Sequence, residues 1–128
     1  MPDTLDTYRT VTPYLVVKDA DAELAFLTAA FGAVIQSCQR NESQVLMHAE
    51  IKIGDSLVMM GQAGESWKAQ PASLYIWIAD VDAVYQQALA AGATSQSAPE
   101  DKPYGHRNAG VVDRNGITWW IGSPVKSA

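Results

Sequence analysis

The sequence predicts an α+β fold of two βαβββ modules, which form an open, strongly curved, barrel-like sheet with a cavity between them. Three observations predict this architecture. The chain has 128 residues, a usual length for one domain. Its two halves carry the same order of patterns, since the motif D-x-D-A follows an apolar run at Asp19 and again at Asp80. Each half also has a two-residue turn signal between its last two apolar runs: Gly54-Asp55 and Asn115-Gly116.

Module one, about residues 10–61, opens with a predicted strand at Val11–Val17, because β-branched residues are frequent in that run. Asp19 or Asp21 can cap the helix predicted at about Asp21–Phe31, and Gly32 can end it in the left-handed conformation. The apolar stripe of this helix recurs at helical spacing: Leu24, Leu27 and Phe31. Three predicted strands follow: Val34–Gln39, Val45–Ile53 and Leu57–Met60.

A linker at about residues 62–71 joins the modules and carries Trp67, which is predicted as a lid over the cavity or as a dimer contact. Module two, about residues 72–124, repeats the pattern of module one. Its opening strand starts near Ala72, and Gly92 ends its helix. The apolar stripe of that helix comprises Val81, Val84, Tyr85 and Leu89. The remaining predicted strands are Ala93–Ser97, Ala109–Asp113 and Ile117–Gly122.

Composition and charge exclude several function classes. The formal net charge is −5 and no cluster of Lys and Arg offers a phosphate track, so no nucleic-acid partner is expected. No apolar run approaches the length of a membrane span, and the first residues lack the pattern of a signal peptide, so no membrane partner and a cytoplasmic location are expected. The single cysteine, Cys38, excludes an intrachain disulfide and is predicted as a small buried or half-buried apolar residue rather than a catalytic thiol.

Four stretches carry a resemblance to a known family: VTPYLVVKDADAELAF, MHAEIKIGDSLVMM, IADVDAVYQQALAAGA and PYGHRNAGVVDRNGITWWI. They resemble the vicinal oxygen chelate superfamily (the glyoxalase, bleomycin-resistance and extradiol dioxygenase fold), and in it the PhnB-like and uncharacterised glyoxalase-like proteins. The stretch from Tyr104 to Trp119 is the most specific, although Arg114 stands where the family often has proline. The resemblance implies the two-module fold and a homodimer. It leaves the reaction open, because this fold hosts lyases, isomerases, dioxygenases and metal-free drug-sequestering proteins.

Metal-dependent members of that superfamily hold a divalent ion with two His or Gln from the opening strands and two Glu from the final strands. The matching positions in this sequence are Thr12, Ser73, Trp120 and Val58, or at most Met59 or Met60. None of these side chains is a strong ligand for such an ion. The resemblance therefore implies no family metal here, and no cofactor is expected.

A different site remains open in module one. His48 and Glu50 are two residues apart on a predicted strand, so both point to one face. They could bind a divalent metal, with His106 joining from module two, or act as an acid–base pair. Alternatively, His48 is a half-buried, hydrogen-bonded strand residue and Glu50 is its solvated neighbour, which is the preferred interpretation of Glu50. If Ala49 and Ile51 pack under the helix, His48 faces the cavity.

Aromatic and thioether side chains predict the lining of that cavity. Trp119 and Trp120 are adjacent on one strand, so one can pack in the core while the other faces the cavity. Tyr75 and Trp77 share a face, and Tyr14 stands at the matching place in module one. The residues predicted to contact a ligand are Tyr14, Met47, His48, Met59, Tyr75, Trp77, Tyr104, Arg107 and Trp120. Their chemistry favours a small aromatic or amphipathic organic ligand.

Arg107 has two predicted roles in the Pro-Tyr-Gly-His-Arg loop. It could clamp a carboxylate or phosphate of a ligand, or it could pair with Asp113 or Asp101 and hold the loop.

Three functions are consistent with these residues. The first is a metal-free binding protein for a small organic molecule. The second is an enzyme, a lyase, isomerase or dioxygenase with a non-standard site that includes His48 and Glu50. The third is a domain that mainly pairs with itself or with a regulatory partner.

Overall fold

The computed structural model describes residues 8–125 and confirms the predicted α+β fold of two βαβββ modules. Module one comprises β1 (Tyr14–Val17), α1 (Ala20–Phe31), β2 (Val34–Arg40), β3 (Leu46–Ile53) and β4 (Ser56–Gln62). Module two comprises β5 (Ala72–Trp77), α2 (Val81–Ala90), β6 (Thr94–Asp101), β7 (His106–Val112) and β8 (Ile117–Pro124). No helix within the described residues is long and apolar enough to cross a membrane.

Each module has one four-stranded sheet that stays open. The strand orders are β1-β4-β3-β2 and β5-β8-β7-β6, with the first strand of each module parallel to its last and the other neighbours antiparallel. The register is the same in both sheets, since Tyr14 lies opposite Met59 and Tyr75 lies opposite Trp120. The internal repeat of the sequence is therefore a structural repeat at the level of single residues.

Helices α1 and α2 pack against each other and against one face of each sheet, so both modules share one apolar core. Trp119, Ile51 and Leu27 in this core have no exposed surface. The opposite face of each sheet is not covered by a helix, and we call it the open face. Side chains on the open faces alternate with core side chains along each strand, which is why their positions follow from the strand period of two.

The D-x-D-A motifs act as helix caps in both modules, as predicted. Asp19 Oδ1 accepts a hydrogen bond from the Ala22 N–H (3.0 Å), and Asp80 does the same for Ala83 (3.1 Å). Gly32 follows α1 with a φ of 66°, a conformation that a residue with a Cβ rarely adopts.

Three strands differ from the prediction by three or more residues at one end. Strand β1 begins at Tyr14 rather than Val11. Strand β6 continues beyond Ser97 through Pro99 to Asp101, because it is an edge strand and a proline there removes no ladder hydrogen bond. Strand β7 begins at His106 rather than Ala109, so Arg107 lies on a strand and not in the preceding loop.

Cys38 is exposed on edge strand β2, so the prediction of a buried or half-buried cysteine is wrong.

A buried polar cluster joins the modules, and its members are Glu23 on α1 and Asp113 and Asn115 at the β7–β8 turn. Asn115 Nδ2 donates to Glu23 Oε1 (2.9 Å) and to the Asp19 carbonyl (2.8 Å), while Asn115 Oδ1 accepts from the Asp19 N–H (2.9 Å). Burial, and then the neighbouring Asp113 carboxylate, raise the pKa of Glu23 to about 9. Glu23 is therefore a neutral acid near pH 7.

Candidate functional site

Each open face carries a tyrosine whose ring lies over a glycine of the final strand. A Cβ on Gly61 would lie 3.1 Å from Tyr14 Oη, and a Cβ on Gly122 would overlap the ring of Tyr75. A larger residue at Gly122 would displace the Tyr75 ring, and one at Gly61 would clash with the Met47 carbonyl (2.8 Å) and crowd the Tyr14 hydroxyl. Strands β4 and β8 therefore position the two tyrosines by leaving space beneath them.

In module one, Tyr14 begins a chain of hydrogen bonds along the open face. Tyr14 Oη lies 3.1 Å from His48 Nδ1, and His48 Nε2 lies 3.1 Å from Glu50 Oε2. Tyr8 donates to the other Glu50 oxygen (3.0 Å). The tautomer of His48 that donates through Nε2 to Glu50 leaves Nδ1 to accept from the Tyr14 hydroxyl.

This geometry decides the open questions about His48 and Glu50. Ala49 and Ile51 are fully buried on the core face, so His48 points to the open face. The side chain of Glu50 is only 16% exposed and accepts two hydrogen bonds. The preferred interpretation of Glu50 as a solvated neighbour is therefore wrong, because Tyr8 folds over it from the start of the chain.

Trp67 of the linker packs on Tyr14, with ring centroids 5.3 Å apart. The indole is 43% exposed and forms an apolar wall beside the Tyr14 hydroxyl. Burial raises the pKa of Tyr14, so the phenol is protonated at neutral pH and can donate to His48.

Module two has a similar tyrosine–histidine pair inside a larger group of rings. Tyr75 Oη lies 3.1 Å from His106 Nδ1. The His106 ring meets Trp77 and Tyr104 edge to face, at centroid distances of 4.7 Å and 5.1 Å. The predicted residues Tyr75, Trp77 and Tyr104 thus form one aromatic cluster with His106.

Asn108 lies beneath this cluster and was not predicted. Its Nδ2 donates to Tyr104 Oη (3.0 Å) and Tyr75 Oη (3.3 Å), and its Oδ1 has no hydrogen-bond partner within residues 8–125. Asn108 is 2% exposed, so this oxygen is an unpaired buried acceptor. The internal repeat could have indicated this residue. The segment R-N-A-G in β7 aligns with M-H-A-E in β3, so Asn108 occupies the position that corresponds to His48.

Trp120 forms the flat floor of a cavity in module two. A Cβ on Gly110 would lie 2.6 Å from the Trp120 ring, so the indole lies directly on that strand. Its Nε1 donates to Ser73 Oγ (3.0 Å), which fixes the ring orientation. The cavity has a volume of about 320 Å³ and is lined by Tyr75, Ser97, Lys102, Tyr104, Asn108 and Trp120.

The predicted ligand contacts do not share one cavity. A second cavity of about 480 Å³ lies between the modules, and of the predicted residues it includes Tyr75 and Trp77. Tyr14, His48 and Met59 belong to the open face of module one. Met47 is half exposed at the beginning of β3, where its sulfur accepts from Asn41 Nδ2 (3.6 Å).

Arg107 is engaged in ion pairs. Its Nε and Nη2 donate to Asp82 (2.8 Å and 2.9 Å), and its Nη1 donates to Asp101 (3.1 Å). The predicted pairing with Asp101 is present, whereas Asp113 is buried in the inter-module cluster instead. Every guanidinium nitrogen already donates to a carboxylate, so Arg107 fastens the start of α2 to β6.

The family metal positions do not fit a divalent ion. The register places Met59 opposite Tyr14, whereas Val58 is 4% exposed in the core, so the alignment to Val58 was wrong by one residue. The four matching positions then offer the hydroxyls of Thr12 and Ser73, the Met59 thioether and the Trp120 indole, in place of imidazoles and carboxylates.

The structure also does not assemble the non-standard metal set. His48 and Glu50 lie on the sheet of module one, whereas His106 lies on the sheet of module two. Across residues 8–125, no three His, Cys, Asp or Glu side chains are grouped as metal ligands. Both ring nitrogens of His48 are hydrogen-bonded, so a metal there would have to break one of those bonds.

Comparison with known proteins identifies a family model and relatives that match this chain. The family model described as Glyoxalase/Bleomycin resistance protein/Dioxygenase superfamily matches residues 5–121. An uncharacterised protein of Mycobacterium bovis is 34% identical over 127 residues, which cover 91% of this chain and 84% of that protein.

Solved structures share the fold. TioX from Micromonospora sp. ML1 superposes with a TM-score of 0.73 at 24% identity, over 94% of this chain and 99% of that chain. A putative 3-demethylubiquinone-9 3-methyltransferase, the PhnB protein from Bacillus cereus, has a TM-score of 0.72 at 19% identity, over 90% and 99% of the two chains.

Proposed function

The chain belongs to the glyoxalase/bleomycin resistance/dioxygenase superfamily, and from this premise we propose that it binds a small aromatic or amphipathic organic molecule without the family metal. The binding site is the cavity on the open face of module two. The observation that carries the proposal is the aromatic floor formed by Trp120 and Tyr75, each lying on a glycine.

The floor is rigid and suited to a flat ligand. Ser73 holds the Trp120 indole, and Asn108 and His106 hold the Tyr75 hydroxyl, so both rings are oriented before a ligand arrives. A ligand that stacks on rings already in place loses little conformational entropy of the protein. The cavity volume of about 320 Å³ suits a molecule of one or two fused rings.

Substitution of Trp120 with Ala is expected to weaken binding of a planar probe, β-naphthol, about tenfold, because stacking on one aromatic ring contributes roughly 1–3 kcal/mol. Binding is followed by the indole N–H signals in proton–nitrogen correlation spectra during titration. In the wild type the Trp120 signal should move. The Trp119 signal should stay in place, since that indole is buried and bonded to Asp113 (2.9 Å).

The Trp119 signal is also the internal control for folding of the variant. Unchanged β-naphthol affinity in Trp120→Ala, with Trp119 in its native position, would contradict the proposed site. Movement of the Trp77 signal alone would place the ligand in the inter-module cavity instead.

Catalysis is the second candidate function, and the His48–Glu50 hydrogen bond favours it. As a metal-dependent lyase, isomerase or dioxygenase, the protein would need His48 and Glu50 to hold a divalent ion. We expect no stoichiometric metal in protein expressed with added Zn, Ni, Fe and Mn, because the ring nitrogens of His48 are already engaged. About one metal per subunit or per dimer would contradict the metal-free proposal and put enzymology first.

We also propose that the protein is a cytoplasmic homodimer. The exposure of large aromatic residues supports the dimer, since Trp77 is 56% and Tyr104 is 62% exposed. The unpaired Cys38 suits a reducing compartment. Light scattering that gives the mass of a monomer at micromolar concentration would contradict the dimer.

A further inference from the structure

Tyr14 and Tyr75 have closely matched surroundings. Each is 38% exposed and lies on the first strand of its module. Each lies over a glycine of the final strand, and each hydroxyl lies 3.1 Å from a histidine Nδ1. Each ring also packs on a tryptophan, with centroids 5.3 Å apart for Tyr14 and 4.9 Å apart for Tyr75. The Tyr75 hydroxyl also accepts from Asn108 Nδ2 (3.3 Å), so differences in reactivity between the two tyrosines report on this bond and on the groups behind the histidines.

The two histidines occupy different positions of the repeat, since His48 aligns with Asn108 and His106 lies two residues earlier on its strand, and a carboxylate lies behind His48 alone among the described residues. Glu50 lies opposite Met59 in module one, and the corresponding residue opposite Trp120 in module two is Gly110. Glu50 accepts from His48 Nε2, whereas no carboxylate among the described residues is hydrogen-bonded to the His106 ring. A carboxylate at Nε2 holds the tautomer that leaves Nδ1 as an acceptor and stabilises the imidazolium that forms when Nδ1 takes a proton.

We propose that Tyr14, His48 and Glu50 form a catalytic relay in which the Tyr14 hydroxyl is a nucleophile toward activated acyl groups, aryl esters in particular. This goes beyond the proposed function, because it uses the open face of module one and needs no ligand in module two. Nucleophile, base and orienting carboxylate stand in line at hydrogen-bond distances, which is the arrangement that activates hydroxyl nucleophiles.

The proposed step is acyl transfer to Tyr14. A bond forms between Tyr14 Oη and the acyl carbon, and the bond from that carbon to the aryl oxygen breaks. The phenol proton passes to His48 Nδ1, and the electron pair of the broken bond leaves with the aryloxide. The imidazolium, stabilised by the Glu50 carboxylate, then returns its proton to the aryloxide or to water.

The surroundings of Tyr14 select the substrate class. Tyr14 is 38% exposed on the open face, so a substrate can approach its side chain without rearrangement of the core. Trp67 offers a partly exposed indole beside the ring, on which an aromatic leaving group can stack. An aryl ester can therefore place its carbonyl beside Tyr14 and its aromatic leaving group on Trp67.

The test compares two tyrosines in one sample. The wild-type protein is treated briefly with para-nitrophenyl acetate near neutral pH, and acetylation at each tyrosine is measured by peptide mass spectrometry. We expect Tyr14 to be acetylated about tenfold or more faster than Tyr75, since general-base assistance contributes about a hundredfold or more in enzymes. Equal acetylation of Tyr14 and Tyr75 would overturn the proposal without any substitution that could disturb folding.

Variants then assign the difference to the relay. Glu50→Gln should lower acetylation of Tyr14 to the rate of Tyr75 and leave Tyr75 unchanged, and His48→Phe should lower Tyr14 in the same way. The matched control is Glu42→Gln, which removes an exposed carboxylate and should change neither rate. Acetylation of Tyr14 that is insensitive to Glu50→Gln, in a variant with native indole signals, would also overturn the proposal.

Discussion

Glu23→Gln is expected to stabilise the fold by about 2–4 kcal/mol near pH 8 and to remove most of its dependence on pH. Glu23 is 1% exposed, and its Oε1 already accepts from Asn115. Its Oε2 is buried without a hydrogen-bond partner among the described residues and lies near the Asp113 carboxylate, so the protonated form of Glu23 is favoured. Glutamine reproduces the neutral acid, with an N–H in place of the O–H.

The sign of the pH dependence of stability follows from the pKa of Glu23 in the folded and unfolded states. The folded protein keeps Glu23 protonated up to its raised pKa of about 9, whereas the unfolded chain releases that proton above about 4.5. The contribution of Glu23 to stability is therefore fully present below about pH 4.5 and is lost as the pH rises toward 9. At its steepest the loss is about 1.4 kcal/mol per pH unit. A cavity of about 230 Å³ beside Glu23 is also lined by Asp113, Arg114 and Asn115, which are the charged and polar groups around it.

Urea unfolding of both proteins between about pH 5 and pH 8.5 measures this effect. The free energy of unfolding should fall with pH in the wild type and stay nearly level in Glu23→Gln. Glu42→Gln serves as a control, because Glu42 is exposed and its removal should leave the wild-type slope intact. Parallel pH curves for the wild type and Glu23→Gln would show that Glu23 is ionised in the folded protein.

Asp113→Ala is expected to destabilise the fold by about 3–5 kcal/mol. Asp113 Oδ1 accepts from the N–H groups of Asn115 (2.9 Å) and Ile117 (3.0 Å), and Oδ2 accepts from Trp119 Nε1 (2.9 Å). The substitution leaves all three donors without this partner, and two of them, on Ile117 and Trp119, belong to fully buried residues. Glu23 then loses the neighbouring carboxylate that helps to raise its pKa, and this offsets only part of that cost.

Denaturant unfolding together with the Trp119 indole N–H signal checks this prediction. The matched control is Asp55→Ala in the turn of module one, where the aspartate is exposed and should matter by less than about 0.5 kcal/mol. A loss below 1 kcal/mol in Asp113→Ala, with the Trp119 signal unmoved, would mean that Asp113 does not hold the β7–β8 turn.

The sequence predicted the fold because its signals are local and occur twice. Asp19 and Asp80 cap their helices within three residues, and Asn115-Gly116 turns a hairpin within its own length. Alternation along one strand predicted that Trp119 and Trp120 take opposite faces, and the structure shows Trp119 on the buried one. These features depend on chain neighbours, so a single sequence contains them.

The errors concerned residues whose partners are distant in the chain. Glu50 was assigned to solvent because nothing nearby indicates that Tyr8 covers it. Arg107 was assigned to a loop because strand β7 begins earlier than the composition of this segment indicates. The ion pair between Arg107 and Asp82 joins β7 to α2, two elements that no local pattern relates.

By itself, the sequence determined the two modules and the order of strands and helices, since propensity and periodicity act within a few residues. The tertiary structure alone decided which side chains meet. It joined Tyr14, His48 and Glu50 in a line, set Trp120 on Gly110 and buried Glu23 beside Asp113. Each of these depends on strand register and on helix packing between modules, which bring together residues that no local pattern relates.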